Sequence, residues 1–479
     1  MENTKSDHDK RKRRVNGIFA MPKAVPAILL NILLERFSTN ATLAILVLYL
    51  NRKLSFDPSL STALFHTNEL LAYGFTIFGA IIADSWWGHF KTILWMSLVF
   101  AVGSVIVSVG SIEQLHLPTT AFTIVGLLIA VVGSGSTRAN LIAFGGDQYE
   151  ASDQGEELKL YFSIQIFFLK TGSLLGRFVN PMLKNIECFG MSDCYPVGFG
   201  TPAIAMIVGF LLLLTVKSSC LRKPPSGNML IKVIRCMMDA IAEKWKRHNE
   251  EPKSHWLDYA EMKHGAHLVA ETKIVIGILK LYIPLPIFWA VYMQQGSRWI
   301  FQATRMNGDI GFYTVTPDQM IVLNPAFVII SLPLCNYVIY PLISKFQITT
   351  LLQKMTIGGM LAVVASIVAA VIENKIDKNF LNILWLAPQF FLLALSENFL
   401  FVSHLSFAYT EAPASMKSVM TSFVFVVIAV GNLFVVFISG SKIFESQSIE
   451  FLFFAGILFV SMLIFGGLAY RYQPIHRLS

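Results

Sequence analysis

Two adjacent charged residues lie in a segment that is otherwise suited to a membrane helix. Residues 31 to 43 read NILLERFSTNATL and run directly into the apolar stretch AILVLYL, so Glu35 and Arg36 lie about one turn inside it. In hydrocarbon each charge would cost at least ~2.5 kcal/mol. We therefore expect the pair to face the interior of a helix bundle or water.

Other ionisable side chains also fall inside apolar segments. They are His66, Glu69, Arg138, Lys170, Arg177, Glu397 and His404. Such groups usually face a bundle interior or water and mark ion or substrate paths, although structural ion pairs are the alternative. His66, Glu69 and Tyr73 are spaced i, i+3, i+7 and share one helical face. A histidine near a carboxylate indicates proton handling, and the alternative is an interior histidine whose hydrogen bonds are satisfied.

The composition is that of a membrane protein. Of 479 residues, 54% are hydrophobic and 14% are charged, against roughly 25% charged in soluble domains, and the mean hydropathy is +0.58. Apolar runs of roughly 20 residues predict about twelve transmembrane helices, numbered here as spans 1 to 12. Their predicted ranges are 24–50, 60–83, 91–111, 118–141, 160–183, 199–217, 273–294, 318–343, 354–372, 380–405, 416–440 and 450–470. The predicted fold class is all-α integral membrane.

Lysine and arginine crowd one set of connections. They cluster in KRKRR at residues 10–14, in the link HFK, in the long segment 218–272 and in the tail. The positive-inside rule places both termini in the cytosol, which requires an even number of spans. The net charge of +8 therefore reflects topology and does not argue for nucleic-acid binding. The link after span 5 is then external, and there Cys188 and Cys194 can form a disulfide.

One long polar interruption divides the chain into two halves. Its centre, IKVIRCMMDAIAEKWKRHN, is amphipathic and basic and is predicted to lie on the cytosolic face. The predicted units are a cytosolic N-terminus at 1–23, a six-helix half at 24–217, a cytosolic linker at 218–272, a second six-helix half at 273–470 and a cytosolic tail at 471–479.

This plan resembles the major facilitator superfamily, in which two six-helix halves enclose a cavity and rock about it. The link GAIIADSWWGHFK is similar to the superfamily's inner signature. In that signature, residues such as Gly79 and Gly88 let two helix ends approach closely, and Asp84 and Lys91 fix them by charge.

Enzymatic functions find little support in the sequence. HTNE at 66–69 is not a zinc-protease motif, and no cysteine and histidine cluster has metal-ligand spacing. The glycines of GSGSTRAN and FGGDQY lack the strand context of a phosphate loop. We therefore predict a protein that is not an enzyme and has no metal.

Several strings resemble one transporter family. They are ERF at 35–37, FHT at 65–67, FGGDQY at 144–149, LYIPLPIFWAVYMQQGSRWIFQA at 281–303 and EAPASMKSV at 411–419. In this order they are similar to the proton-coupled oligopeptide transporter family, especially its animal members. The resemblance implies that inward proton flow drives uptake of dipeptides and tripeptides, with protons as the coupling ion and no cofactor.

The resemblance also assigns roles to residues. Glu35 and Arg36 match the second acid and the arginine of the family motif ExxERFxYYG, and Arg138 stands at the lysine position of span 4. Among these three residues an ion pair can form, and its partners change when a proton neutralises the Glu35 carboxylate. His66 matches a histidine tied to protonation. Tyr73 matches a cavity tyrosine, and Trp289 matches the span-7 tryptophan. Arg298 matches an external arginine, and Glu397 matches the span-10 glutamate that receives the peptide's amino terminus.

Several positions depart from the family pattern. In the helix-one motif, Ile32 replaces the first acid of ExxER, and Thr39, Asn40 and Ala41 replace YYG. Leu43 replaces a carboxylate-binding arginine, Ile166 a cavity tyrosine and Lys170 a substrate-binding asparagine. Asn336 replaces the aspartate that partners Arg298. The chain thus loses an acid and a base but gains Glu69 and Lys170. We hypothesise that Glu69 takes over the proton role and that Lys170 binds a substrate carboxylate. The alternative is a Glu69–Lys170 salt bridge whose only role is that two buried charges neutralise each other.

The sequence is compatible with three functions. The first is a proton-coupled symporter of short peptides, and the second is a transporter of the same fold for another small zwitterion or an organic anion. The third is a relative that no longer transports and acts as a sensor or interaction partner. The expected partners are short peptides or similar solutes and the lipid bilayer, and no nucleic acid. The expected location is multi-pass in the plasma membrane, before an endosomal or lysosomal membrane.

Overall fold

The structure is a computed structural model that describes residues 21–149, 155–190, 193–225, 227, 229–246, 253–376, 380–444 and 446–472. The basic run at 10–14, with nearly all of the predicted N-terminal segment, lies outside the described residues. The tail beyond Tyr472 and residues 247–252 of the predicted linker also lie outside them.

The described residues form membrane-length helices. Nine helical runs are long and apolar enough to cross a bilayer, and a tenth crossing is a helix pair bent by 51°. One of the nine, Pro58–Gly110, has 53 residues, which is about 80 Å of helix and more than twice the ~30 Å thickness of hydrocarbon. Gly88, at φ 74°, divides this run into two spans. Helix Gly155–Lys184, which carries several charges, is the twelfth crossing.

The prediction of a twelve-span, all-helical membrane protein is confirmed. The spans are Val25–Leu48, Pro58–Ile82, Gly88–Gly110, Thr119–Gly146, Gly155–Lys184, Tyr195–Thr215, Ala266–Tyr282 with Leu285–Ala303, Pro317–Ser344, Leu351–Ile376, Ile383–Thr410, Lys417–Ser441 and Gln447–Arg471. Successive spans reverse direction. We call the side that carries the connection between spans 6 and 7 the linker side, and the side that carries Cys188 and Cys194 the disulfide side.

Span 7 is broken where it passes through the bundle. Pro284 precedes its second segment, and a further break at Gln294–Gly296 leaves Ser297 at φ −135° and ψ −81°, outside helical geometry. Irregular backbone at membrane depth is tolerated only where it is buried in protein or lines a cavity. The three residues of this break are all buried. The break directs the Ser297 hydroxyl toward span 2.

Glycines bring spans 1 and 5 into backbone contact. A Cβ added at Gly172 would lie 2.4 Å from the Leu33 carbonyl oxygen and 3.0 Å from Arg36 Cβ. A Cβ added at Gly176 would lie 2.4 Å from the Phe37 carbonyl oxygen. Small residues four apart are a common device for close packing of membrane helices. The contact holds Arg36 directly beside the helix that carries the span-5 charges.

The described part of the linker contains one amphipathic helix, Met229–Lys246, which packs on span 7 and on the segment Trp256–Ala260. Its buried residues are Leu230, Val233, Cys236 and Ala240. Burial would raise the pKa of Asp258, but hydrogen bonds from Lys273 of span 7, Ser254 Oγ and the His255 amide lower it to about 2. Asp258 therefore stays ionised at physiological pH and ties the linker to span 7.

The glycine packing predicts a stability difference. Gly176→Ala places a methyl group against the Phe37 carbonyl, a backbone group that cannot turn aside. We expect this variant to lower the midpoint of thermal unfolding in detergent by several degrees, in line with the ~1–3 kcal/mol typical of overpacking. Gly456→Ala, where no atom lies within 4 Å of the added Cβ, is the matched control and should leave the midpoint unchanged or slightly higher. Equal effects of the two substitutions would contradict the close contact.

Candidate functional site

The Glu35–Arg36 pair is formed and buried. Arg36 Nε lies 2.7 Å from Glu35 Oε2, and Thr39 Oγ1 donates to Glu35 Oε1 at 3.1 Å. Glu35 is 1% exposed. Thr39 stands at one of the positions that depart from the family motif, and here it supplies the second donor. Both oxygens of Glu35 thus have a partner, as a buried carboxylate requires.

Arg138, Tyr73 and Glu69 form the neighbouring part of the site. The Arg138 guanidinium lies over the Tyr73 ring, 4.6 Å from its centroid, and the Arg138 charge interacts with Glu35 and Glu69. Arg138 Nε and Glu69 Oε1 are buried and have no hydrogen-bond partner in the described part of the chain. Because an unpaired buried donor or acceptor is costly, these two atoms are suited to take a ligand group or a proton.

Lys170 joins the two halves of the bundle. Its Nζ lies 2.7 Å from Glu397 Oε1 of span 10, and the Tyr292 hydroxyl of span 7 donates to Glu397 Oε2 at 2.6 Å. The alternative prediction of a Glu69–Lys170 salt bridge is wrong, because Lys170 reaches across to the other half. Glu69 interacts instead with the charges of three arginines on spans 1, 4 and 5.

Arg177 is a second cation that span 5 presents to this region. It follows Lys170 by seven residues, about two turns, and so shares a helical face with it. Arg177 Nε donates to Asn40 Oδ1 at 2.9 Å, and Nη1 lies 3.4 Å from the Ile321 carbonyl oxygen of span 8. Its charge interacts with Glu397, but its hydrogen bonds are to neutral groups. No family motif points to Arg177, although its spacing from Lys170 does.

His66 connects the halves through neutral partners. Its Nδ1 donates to Asn432 Oδ1 of span 11 at 2.8 Å, and its Nε2 lies 2.9 Å from Ser297 Oγ at the break in span 7. The ring is fully buried. With Nδ1 as the donor, Nε2 accepts from the Ser297 hydroxyl. Protonation would make Nε2 a donor too and reverse that bond, so His66 is a bridge that a proton would rearrange.

Trp289 and Arg298 occupy different parts of span 7. Trp289 is buried and packs edge-on against Tyr292, with ring centroids 5.3 Å apart, which places it beside the Glu397 pair. Arg298 Nε lies 2.9 Å from Glu450 Oε1 of span 12. Glu450 supplies the carboxylate for Arg298 that Asn336 cannot supply. The sequence signal for this role was an acid in the first turn of an otherwise apolar helix.

The turn between spans 2 and 3 places His89 near two carboxylates. His89 Nε2 lies 3.7 Å from Asp84 Oδ1 and 3.8 Å from Asp147 Oδ2, and Lys223 Nζ lies 2.7 Å from Asp147 Oδ1. Lys91, predicted to act here with Asp84, is exposed. These contacts attach the ends of spans 2 and 4 to the start of the linker.

A buried ion pair joins the halves on the disulfide side. Cys188 and Cys194 form a disulfide, and next to it Lys184 Nζ lies 3.0 Å from Asp318 Oδ2 and 3.4 Å from Asp193 Oδ1. Lys184 and Asp318 are 2% and 0% exposed. The pair joins the end of span 5 to the start of span 8, and thus one half to the other. No sequence motif indicated Lys184.

His404 lies apart from this site. Its ring packs edge-on against Tyr282, with centroids 4.4 Å apart, and both ring nitrogens are buried without a partner among the described residues. Within those residues, no group of three or more histidines, cysteines, aspartates or glutamates could hold a metal ion. The absence of a metal stays a prediction for the whole chain.

Comparisons with known sequences point to one family. Residues 90–450 match the family model described as "PTR2: POT family". "Peptide transporter family 1" of Drosophila melanogaster is 42% identical over 358 residues, covering 74% of this chain and 48% of the fly protein. "Solute carrier family 15 member 2" of Rattus norvegicus is 43% identical over 366 residues, covering 74% and 49%. The chain thus spans about half the length of the curated relatives it matches.

Comparisons with solved structures give the same fold. The POT family transporter PepTSo superposes with a TM-score of 0.82 at 24% identity, over 95% of this chain and 99% of that one. A crystal structure described as a proton dependent oligopeptide (POT) family transporter superposes with a TM-score of 0.71 at 26% identity, over 92% of this chain and 100% of the other. The fold is therefore that of the major facilitator superfamily, and the chain belongs to the POT family.

Proposed function

We propose that the chain is a proton-coupled symporter of dipeptides and tripeptides that works by alternating access. Support comes first from its relatives, since the fly protein carries the name peptide transporter and the 26% identical structure is described as proton dependent. Because the chain spans about half the length of the curated relatives, its own buried charges must also support the function.

The observation that carries the proposal is a set of buried and partly buried charges between the halves. We define this central cluster as Glu35, Arg36, Glu69, Tyr73, Arg138, Lys170, Arg177, Tyr292 and Glu397. Cations on spans 1, 4 and 5 meet carboxylates on spans 1, 2 and 10, and the Lys170–Glu397 pair joins one half to the other. Ionised groups at membrane depth are expensive and mark ion and substrate paths.

A proton can change how the central cluster is paired. Protonation of Glu35 removes the charge that holds Arg36, which is then free to strengthen its interaction with Glu69. Glu69 is the second proton acceptor in the proposal, because Ile32 offers no carboxylate and Glu69 Oε1 has no partner in the described part of the chain. The proposed proton-coupling residues are Glu35, Arg36, His66, Glu69 and Arg138.

The proposed substrate site uses the same cluster. Lys170 holds Glu397 in this structure, so a peptide's ammonium binds Glu397 by displacing Lys170. Lys170 then receives the peptide's carboxylate, since charge-assisted hydrogen bonds are short and strong. Tyr73 and Trp289 add aromatic surface, and Trp289 Nε1 is a buried donor without a partner in the described chain. A cavity that offers both charge signs discriminates in favour of zwitterions.

Alternating access requires the halves to separate on one side at a time. Here they are joined on the disulfide side by Lys184 and Asp318, and closer to mid-depth by His66 with Ser297 and Asn432. We propose that these contacts break when the site opens to that side. We also propose gating roles for Arg298, Asp84 and Lys91, which lie near the ends of spans 7, 2 and 3.

We assign the linker side and both termini to the cytosol, because basic residues crowd that side. The structure is then closed toward the outside. A proton that enters through the membrane potential supplies ~2.3 kcal/mol per charge per 100 mV. The plasma membrane is the preferred location, before an endosomal or lysosomal membrane, because the curated relatives are animal proteins.

A second candidate is a transporter of the same fold for another small zwitterion or an organic anion. The Lys170–Glu397 pair favours it, because an ammonium already occupies the carboxylate that would receive a peptide's amino terminus. Competition of dipeptides against the transported solute separates the two. A relative that no longer transports is the third, supported by the acid lost at Ile32.

The main prediction concerns uptake. Purified protein in liposomes should accumulate a labelled, hydrolysis-resistant dipeptide above equilibrium only when the outside is more acidic than the lumen. Glu35→Gln should reduce gradient-driven accumulation at least tenfold, because Arg36 then has no partner that a proton can remove. Glu187→Gln, which removes an exposed carboxylate, is the matched control and should transport normally. No accumulation by folded, correctly oriented protein would refute peptide symport.

A second prediction concerns the disulfide-side closure. Leu43 is buried between the halves on that side, against Ile300 and Ile321, so Leu43→Cys reports opening through its rate of maleimide labelling. Lys184→Asp should raise that rate several-fold, because it leaves Asp318 buried against a like charge. Combining it with Asp318→Lys should restore slow labelling.

The exposed pair Lys442–Asp57 also joins the halves, at 3.1 Å, and provides the control. Exposed pairs contribute little, so Lys442→Asp should leave the labelling rate unchanged. If Lys184→Asp behaved like this control in protein that keeps its thermal stability, the buried pair would not be a closure contact.

A further inference from the structure

The central cluster contains more cations than carboxylates. In the described chain its ionisable groups are four cations, Arg36, Arg138, Lys170 and Arg177, and three carboxylates, Glu35, Glu69 and Glu397. Two of the carboxylates are used in direct ion pairs, with Arg36 and Lys170. Glu69 remains to balance two arginines. Protonation of any carboxylate increases the excess of positive charge, so the cluster favours binding of a negatively charged group.

Both oxygens of Glu397 already have partners. Lys170 Nζ lies 2.7 Å from Oε1, and the Tyr292 hydroxyl donates to Oε2 at 2.6 Å. A solute's ammonium would have to displace one of these groups. Lys170 is attached to the chain, so it competes at a high effective concentration that does not fall when solute is scarce. A free amino group therefore gains less from Glu397 than an empty carboxylate would give.

The Lys170 ammonium is also able to bind an anion while it stays on Glu397. An ammonium has three donors, and the single hydrogen bond described for Lys170 uses one. Its side chain is 25% exposed, so it is not sealed by the surrounding protein. Arg177 lies two turns farther along the same face, with only neutral hydrogen-bond partners. Lys170 therefore keeps donors for a carboxylate, and Arg177 is a second cation on the same helical face.

We infer that Lys170 is a resident ammonium that takes the place of a substrate amino group. The cavity consequently recognises a solute through its carboxylate and favours peptides whose amino group is blocked, such as N-acylated dipeptides. This inference rests on the proposed function, because it names the substrate class of the same site. Lys170 is then the residue that determines whether the site recognises the amino group or the carboxylate of the solute.

The test compares two probes that differ only at the amino terminus. Binding of alanyl-alanine and of N-acetyl-alanyl-alanine to the purified, full-length protein is measured by calorimetry at one pH. We expect the wild-type protein to bind the acetylated probe at least as tightly as the free one. Lys170→Met should strengthen binding of the free dipeptide tenfold or more, because Glu397 becomes available, and should weaken binding of the acetylated probe.

Two controls separate this role from a general effect of charge or folding. Lys170→Arg keeps a cation on Glu397 and should keep the preference for the acetylated probe. Lys280→Met removes an exposed lysine of span 7 and should leave both affinities unchanged. Thermal unfolding of each variant shows that the protein is folded.

The possible outcomes are distinct. A preference that reverses only in Lys170→Met supports the inference. A wild-type protein that binds neither probe, while Lys170→Met binds the free dipeptide, overturns the preference for blocked peptides and leaves peptide binding by the site standing. Tighter binding of the free dipeptide in both proteins overturns the inference and leaves peptide transport standing. Absence of binding in both proteins overturns the inference and the proposed function together.

Discussion

The arrangement of this protein depends on the cost of holding charge at membrane depth. Each ionised group would cost at least ~2.5 kcal/mol in hydrocarbon, so each needs a counter-charge or a hydrogen-bond partner inside the bundle. The Lys170–Glu397 pair meets this requirement across the interface between the halves. Because each partner belongs to a different half, the halves cannot separate at this point unless another charge replaces the one withdrawn. In the proposed mechanism, this pair couples motion of the bundle to the binding of a charged solute.

The remaining structure holds this pair in position. Backbone contact of spans 1 and 5 at Gly172 keeps Arg36 beside the helix that carries Lys170. The break in span 7 lets Ser297 meet His66, while Arg298 and Glu450 tie spans 7 and 12 within the second half. Two packed halves that move as bodies are bistable, so a small change of charge between them can select one arrangement.

The sequence predicts the spans well because an apolar run of bilayer length needs no tertiary information, and its strings identify the family. The pairings could not be predicted. Lys170 and Glu397 are 227 positions apart, and Lys184 with Asp318 and Arg298 with Glu450 likewise depend on how separate helices pack. The Glu69–Lys170 alternative failed for this reason, since no local pattern shows that the nearest carboxylate lies in the other half. The domain limits and residue roles remain predictions.

In the proposed mechanism, two rigid halves exchange access when the central cluster changes its charge. Spin labels at Leu60 and Ile443, both exposed near the Asp57–Lys442 pair, report the disulfide side, and labels at the exposed residues Ala143 and Tyr409 report the linker side. Double electron–electron resonance at neutral and acidic pH would give both distances. We expect acid to lengthen the first distance and to shorten the second in the same fraction of molecules. Two distances that stay fixed, or that change independently, would contradict it.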